Sequence, residues 1–278
     1  MFVLRKMVHV KCRNVKYPLS DVQRLIVPEE QTQWSSNFDD YKPPIYNSSV
    51  LKNKPWSDLD IDDPNFKPKW NELDGNVNRK SHLGIYEIKD KYPLNPEGRT
   101  GLQGRGILGK WGPNHAADPI VTRWKLEDGK QVLHESSKLP ILQFCAIQRH
   151  DCNEWAIPGG MIDPGENVSQ TLMREFMEEA MNSLQNKIDS AMLKIFFENG
   201  VKIYEGYVDD PRNTDNAWME TVAYNFHDDD GNSVGKFSLK AGDDAKNVRW
   251  MDVDKETPLY ASHSNFVFSV TKLRNAHW

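Results

Sequence analysis

The chain has 278 residues, 38% of them hydrophobic and 27% charged, which is enough apolar content for a folded core and far from a disordered composition. Its formal net charge of −5 argues against a general nucleic-acid-binding face, which works by displacing counterions with basic residues, but not against a local basic pocket for a phosphorylated ligand. The longest apolar runs, such as Leu139–Ile147, fall well short of the roughly 20 residues that a membrane-crossing helix needs, so this chain is not expected to insert into a membrane.

Cys12, Cys145 and Cys152 are odd in number and form no C-x-x-C pair. That favours reduced thiols in a cytosol-like or matrix-like compartment and offers no cysteine zinc site. The first twenty residues hold five basic side chains and no acid, which fits a transit-peptide remnant. The apolar alternation in Met7–Cys12 reads better as a strand. From there to about Asn95 the chain is rich in Pro, Asn, Asp and Trp, giving turns and short strands rather than helices. Residues 1–118 are therefore expected to form a smaller accessory α+β domain. The segment Asn95–Pro113 is dense in glycine, carries Arg99, Arg105 and Lys110, and contains Gly104-x-Gly106-x-x-Gly109. Gly112 and Pro113 break any helix that a dinucleotide fold would need there. Two readings stay open for this loop, a cover for a ligand's phosphates and an interdomain linker.

After Pro119 the texture changes. Ile120–Lys125, Leu139–Gln148, Glu154–Ile157, Val201–Val208, Trp218–Phe226 and Val248–Val253 read as strands, with helices over Val168–Leu184 and Asn265–Arg274. The order predicts an α/β fold over 119–278. Within the first helix, Glu175, Glu178 and Glu179 fall within about 100° of one another on the helix surface. Met173, Phe176, Met177 and Ala180 cluster on the opposite side, so the helix should bury one face and hold out three acids on the other. Like charges at these spacings repel by a few tenths of a kcal/mol per pair. A divalent cation among them would relieve that; a plain solvated acidic face is the competing reading. With oxygen ligands only, the ion would be magnesium or manganese rather than zinc, with substrate phosphate completing its shell.

The spacing of Gly160, Glu166 and the run Arg174-Glu175-Phe176-Met177-Glu178-Glu179-Ala180-Met181 resembles the signature of the Nudix hydrolases, with Ala180 where the family usually has glycine. Gly98–Trp124, Asn153–Glu166, Gly206–Thr221 and Tyr260–His263 are similar to the ADP-ribose pyrophosphatase subfamily, and the likeness extends through the N-terminal third. The resemblance implies an α/β/α sandwich with a mixed sheet, and magnesium-dependent hydrolysis of ADP-ribose to AMP and ribose 5-phosphate. It also implies roles. Glu175, Glu178 and Glu179 would hold the metal, with Gly159 counted at the metal side and Gly160 letting the loop approach. Glu166 and Arg174 would orient them. Arg212 would clamp a phosphate, Asp210 accept from ribose hydroxyls and Tyr260 face the adenine or a ribose, with Asn95, His115, Asp118 and His263 as weaker picks. For each of these, an ordinary turn or packing role competes. Glu220, on an apolar strand face, would be ion-paired to a neighbouring strand, bind metal or act as base. Two kinds of protein carry such a sequence, a free mitochondrial-type enzyme of the matrix and the cytoplasmic C-terminal domain of a tetrameric, ADP-ribose-gated melastatin-type TRP channel. The intact set of box acids favours hydrolysis over a non-hydrolytic sensor.

Overall fold

The computed structural model describes residues 10–150, 152–181, 190–236, 239–241 and 245–278. The expected strand at Met7–Cys12 lies largely outside these residues, and the described part, Val10–Cys12, is a turn. The chain divides into two compact units, one of Met1–His115 with Asp163–Gly165 and Gly206–Glu220, the other of Ala116–Ile162, Glu166–Glu205 and Thr221–Trp278.

The main sheet has seven strands: β1 (Gly112–Trp124), β2 (Leu142–Arg149), β3 (Trp155–Ala156), β4 (Gly160–Met161), β5 (Val201–Tyr207), β6 (Ala217–Asp228) and β7 (Ala245–Asp252). Their order is β3-β2-β1-β6-β5, with β4 also paired to β1 and β7 to β2. Helices α1 (Val168–Met181), α2 (Ser190–Glu198) and α3 (His263–Arg274) complete the fold. Strand β2 shows how the layers arise. Side chains alternate faces along a strand, and Leu142, Phe144 and Ala146 pack in one cluster with Phe266, Val267 and Val270 of α3. Cys145 between them joins Leu172, Phe176 and Ala180 of α1 and Leu193 and Phe197 of α2. Helices thus cover both faces, which is the α/β/α sandwich. The α1 prediction overlaps well, although residues 182–184 lie outside the described ones. Helix α2 was not foreseen. Helix α3 ends because Asn275 takes a left-handed conformation and donates back to the carbonyls of Thr271 and Lys272.

The other unit is turn-rich, as its composition predicts, and buried cations tie its loops together. Arg99 donates to the carbonyls of Gln31, Gln33 and Ser36, and Arg105 to those of Asp58 and Gly109. These guanidinium groups satisfy backbone oxygens that no sheet partner reaches. They are committed to the fold, so the phosphate-covering reading of the glycine-rich segment does not hold for Arg99 and Arg105. Nor is that segment a plain linker. Gln103–Gly106 is a strand paired in parallel with Ile45–Asn47, and Gly112 and Pro113 open the longest strand of the sheet. Gly106 is required there because the Tyr17 hydroxyl occupies the space of its missing side chain, accepting from the Ile107 amide and donating to the Arg212 carbonyl.

Candidate metal centre and active site

Helix α1 is started by a reciprocal cap. The Asn167 side chain accepts from the Gln170 amide and the Gln170 side chain accepts from the Asn167 amide, both at 3.0 Å. This fixes the helix start seven residues before the first acid of the trio. From Glu175, helical spacing sets Glu178 and Glu179 one turn on. The expectation of three acids held out to solvent is corrected here. Glu175 and Glu179 are 7% and 8% exposed, and only the Glu178 side chain, at 56%, stands in water. The reason is the loop before the helix. The Gly159 amide donates to Glu179 Oε2 at 2.8 Å, and Gly160 lies against Glu175.

Arg174 binds this cluster together. Its Nε and Nη2 donate to the two oxygens of Glu166 at 3.0 Å each, and its Nη1 donates to Glu175 at 2.7 Å and to Glu178 at 3.1 Å. Glu166 also accepts from the Thr171 hydroxyl at 2.7 Å. Burial pushes the Glu175 carboxyl up to about 7, opposed by Arg174 and reinforced by the charges of Glu178 and Glu166. Hydrogen bonding to Glu166 holds Arg174 firmly protonated. Arg174 and the loop amide thus gather four carboxylates at one place.

Three more expected residues are tied to the segment leading into the glycine loop. Asp118 accepts from the Thr221 hydroxyl at 2.7 Å, and a side chain at Gly159 would run into its Oδ1. Burial raises Asp118 to about 6. His263 Nδ1 accepts from the Ile157 amide at 2.9 Å. The Tyr260 amide donates to the Trp155 carbonyl at 2.8 Å, and the Arg149 guanidinium lies 4.5 Å from the Tyr260 ring centroid. Asp210, Arg212 and Asn95 belong to the other unit. Asp210 is buried and accepts from the Arg212 amide, Nε and Nη2, each at 2.8 Å. Asn95 is fully buried and donates to the Thr214 carbonyl at 3.1 Å. Glu220 is also in this unit. It is fully buried and held by Ser81, His82 and Trp218, with His115 on the adjacent strand as its charged neighbour when protonated.

Comparison with known proteins bears on the whole chain. Residues 134–270 match the NUDIX domain and residues 27–112 the NUDT9-like, N-terminal domain. The chain is 53% identical over 278 residues to the mitochondrial ADP-ribose pyrophosphatase of Rattus norvegicus, covering 97% of this chain and 79% of that protein. It is 51% identical over 264 residues to putative nudix hydrolase 6 of Caenorhabditis elegans, covering 94% and 95%. The chain belongs to the Nudix hydrolases. This Nudix hydrolase is also 49% identical to the transient receptor potential cation channel subfamily M member-like 2 of Nematostella vectensis, covering 97% of this chain and 18% of that protein.

Nudix hydrolases generally use a divalent metal, and the residues present fit one. A Cβ added at Gly160 would lie 2.5 Å from Glu175 Oε1 and 2.6 Å from its Cδ, so glycine keeps the space over this carboxylate free. The acids offer only oxygen donors, as a hard cation prefers. Sequence reading missed Thr171, Thr221 and Arg149, the residues that hold Glu166, Asp118 and Tyr260. Nothing in the local pattern marks Thr221 or Arg149; Thr171, five residues after Glu166 at the start of the helix, was the one within reach of a cap argument.

Proposed function

We propose that this Nudix hydrolase cleaves the diphosphate of ADP-ribose to AMP and ribose 5-phosphate, with magnesium held by Glu175, Glu178 and Glu179 beside Gly159, and with manganese able to replace it. The observation that carries the reading is the complete acid set, gathered under a glycine loop. Relatives named for ADP-ribose pyrophosphatase activity and Nudix hydrolysis, alike over nearly the whole chain, support the choice of reaction. Magnesium, when bound, neutralises the diphosphate and lowers the pKa of a bound water. Water adds to one phosphorus, and the bridging oxygen leaves with the other phosphate.

The chain's own residues do the rest. Arg174 holds Glu166, Glu175 and Glu178 in fixed rotamers, and the Gly159 amide does the same for Glu179. Asp118 and His263 brace the loop that closes over them. Asp210 and Arg212 act as a preset pair, the carboxylate towards ribose hydroxyls and the guanidinium towards a phosphate; Tyr260 offers its ring or hydroxyl to the nucleoside, and Asn95 shapes the turn that carries the pair. Residues 1–118 serve as the accessory domain of a hydrolase domain at 119–278.

The test is release of AMP from ADP-ribose and magnesium, followed by chromatography. The pair of substitutions Glu178→Gln and Glu179→Gln should abolish turnover while the circular dichroism spectrum stays the same; undiminished turnover would overturn the metal assignment. A second reading is motivated by the likeness to the Nematostella channel protein: the chain serves as the ADP-ribose-binding, cytoplasmic part of a tetrameric cation channel instead of as a free matrix enzyme. Among the described residues no helix is long and apolar enough to cross a membrane. Tight binding of ADP-ribose with no AMP after long incubation would favour a sensor, and turnover a hydrolase in either setting.

A further inference from the structure

Three side chains of the unit that contains Asp210 and Arg212 take no part in the proposed reaction. They are His82, His115 of β1 and Glu220 of β6. One donor atom from each lies within 4.8 Å of the other two. The rings of His82 and His115 meet edge to face, centroids 5.0 Å apart at 76°.

Glu220 is fully buried, where an unsatisfied carboxylate is expensive. Its hydrogen bonds can be counted. Oε1 accepts from the Ser81 hydroxyl at 2.6 Å and from Trp218 Nε1 at 2.7 Å, and Oε2 accepts from the His82 amide at 2.6 Å. A carboxylate has about four lone-pair sites, so one is left, on Oε2. That oxygen is 3.8 Å from Nε2 of His115, beyond hydrogen-bond distance.

His115 presents the matching problem. Its side chain is 9% exposed, and its Nε2 is buried with no hydrogen-bond partner. In the neutral tautomer protonated at Nδ1, Nε2 is a bare acceptor. In that tautomer an unused carboxylate lone pair and an unpaired ring nitrogen lie 3.8 Å apart across a buried gap, and a donor atom of His82 completes the group. A positive centre is what this geometry lacks. Around a tetrahedral ion bound at about 2.1 Å, donors sit about 3.4 Å apart, so side-chain rotations must draw in both the 3.8 Å pair and the rest of the group, whose donors lie within 4.8 Å. Two imidazoles and one carboxylate suit a borderline transition metal, whereas magnesium prefers oxygen alone.

We propose that His82, His115 and Glu220 form a transition-metal site of the zinc class, with the fourth position left to water. The site is separate in residues from the carboxylates of α1. Its effect is structural: it would clasp the turn at Ser81–His82 to strands β1 and β6, whose hydrogen bonds to Glu220 do so only in part.

The experiment uses the full chain with Glu178→Gln and Glu179→Gln, which weakens the site on α1 without touching this trio. After removal of metal with a chelator, zinc is added and bound metal is measured by mass spectrometry after dialysis, with cobalt as a spectroscopic probe. The expected result is one equivalent of zinc, an intense visible band for four-coordinate cobalt, and a zinc-dependent rise in melting temperature that magnesium does not produce. Adding His115→Gln should weaken zinc binding by about 100-fold or more and remove the visible band. Should that variant fail to fold, His82→Gln, at a half-buried turn, gives the same readout. Failure of the parent to retain zinc, or unchanged zinc affinity in the folded histidine variant, overturns the proposal. Neither result depends on whether ADP-ribose is hydrolysed.

Discussion

Gly160→Ala separates geometry from stability at the proposed metal centre. Its backbone is not in the left-handed region, so alanine is conformationally allowed, and the consequence comes only from the added Cβ. That atom would lie 2.5 Å from Glu175 Oε1 and 2.6 Å from Cδ and Oε2. Ordinary contact begins near 3.4 Å, so the carboxylate must retreat by about 1 Å. The three nearest atoms all belong to the end of one side chain and none to backbone, so the fold should survive with a loss of about 1 kcal/mol. Catalysis should not. A displacement of about 1 Å in a reacting constellation lowers the rate on the order of 100-fold, equivalent to about 2.7 kcal/mol in the barrier. Gly159→Ala is the control in the opposite sense. Its Cβ would meet Asp118 Oδ1 and, at 3.0 Å, the Ala117 carbonyl. Asp118 is held by Thr221 and backbone cannot step aside, so this change should lower stability by about 1–3 kcal/mol. The assays are kcat/KM for AMP release over a magnesium titration, and urea denaturation. Wild-type kcat/KM in a folded Gly160→Ala protein would refute the reasoning, as would a reversal in which Gly160→Ala unfolds and Gly159→Ala does not.

Two further outcomes follow from buried charge. Burial raises Asp118 from 3.8 to about 6, so the folded state holds its proton more tightly than the unfolded chain. The stabilisation is complete below pH 3.8 and is lost as pH rises through 6, to a total of about 3 kcal/mol. Asp118→Asn keeps an acceptor for Thr221 and cannot ionise, so its stability relative to wild type should improve by up to that amount between pH 4 and pH 7; parallel urea curves across this range would sink the argument. Asp58 accepts from Arg79 Nη1 at 2.8 Å and Nη2 at 3.0 Å and from the Trp111 amide at 2.9 Å, with both side chains 4% exposed. Asp58→Ala leaves the buried guanidinium with Asp74 as its remaining carboxylate beside the Phe66 and Trp70 rings and should destabilise by about 3–5 kcal/mol, read as a lower urea midpoint; a shift within error would show that Arg79 reaches water.

What the sequence revealed and what it hid divide along a physical line. The strand expected over Leu139–Gln148 and the helical spacing around Arg174 are local, and both were legible, as was the glycine loop before the helix. Burial of the acids was not, because it depends on the loop folding back so that Gly159 reaches Glu179, and helical periodicity says nothing of what covers a polar face. The same blindness affected Arg99 and Arg105. In a glycine-rich stretch they looked available to a phosphate, yet they point inward to carbonyls that the irregular chain leaves unpaired. Glu220 with His82 and His115 was out of reach for another reason. Glu220 lies 138 and 105 positions from His82 and His115; the pairing of β1 with β6 brings His115 to it, and the turn at Ser81–His82 reaches it through hydrogen bonds to its carboxylate.

Ala180 shows why one departure from a family pattern leaves the chemistry alone. The position lies on the face of α1 turned away from the acids, fully buried among Leu172, Phe176 and Phe197, and its carbonyl accepts from the Lys240 amide at 2.9 Å. A methyl group there meets core side chains and adds apolar contact, while alanine also favours the helix over glycine by about 1 kcal/mol. An added methyl on the opposite face, at Gly160, meets the Glu175 carboxylate. The two sites differ by one carbon in the same direction of change, and the packing around each decides whether it stiffens a helix or displaces a carboxylate.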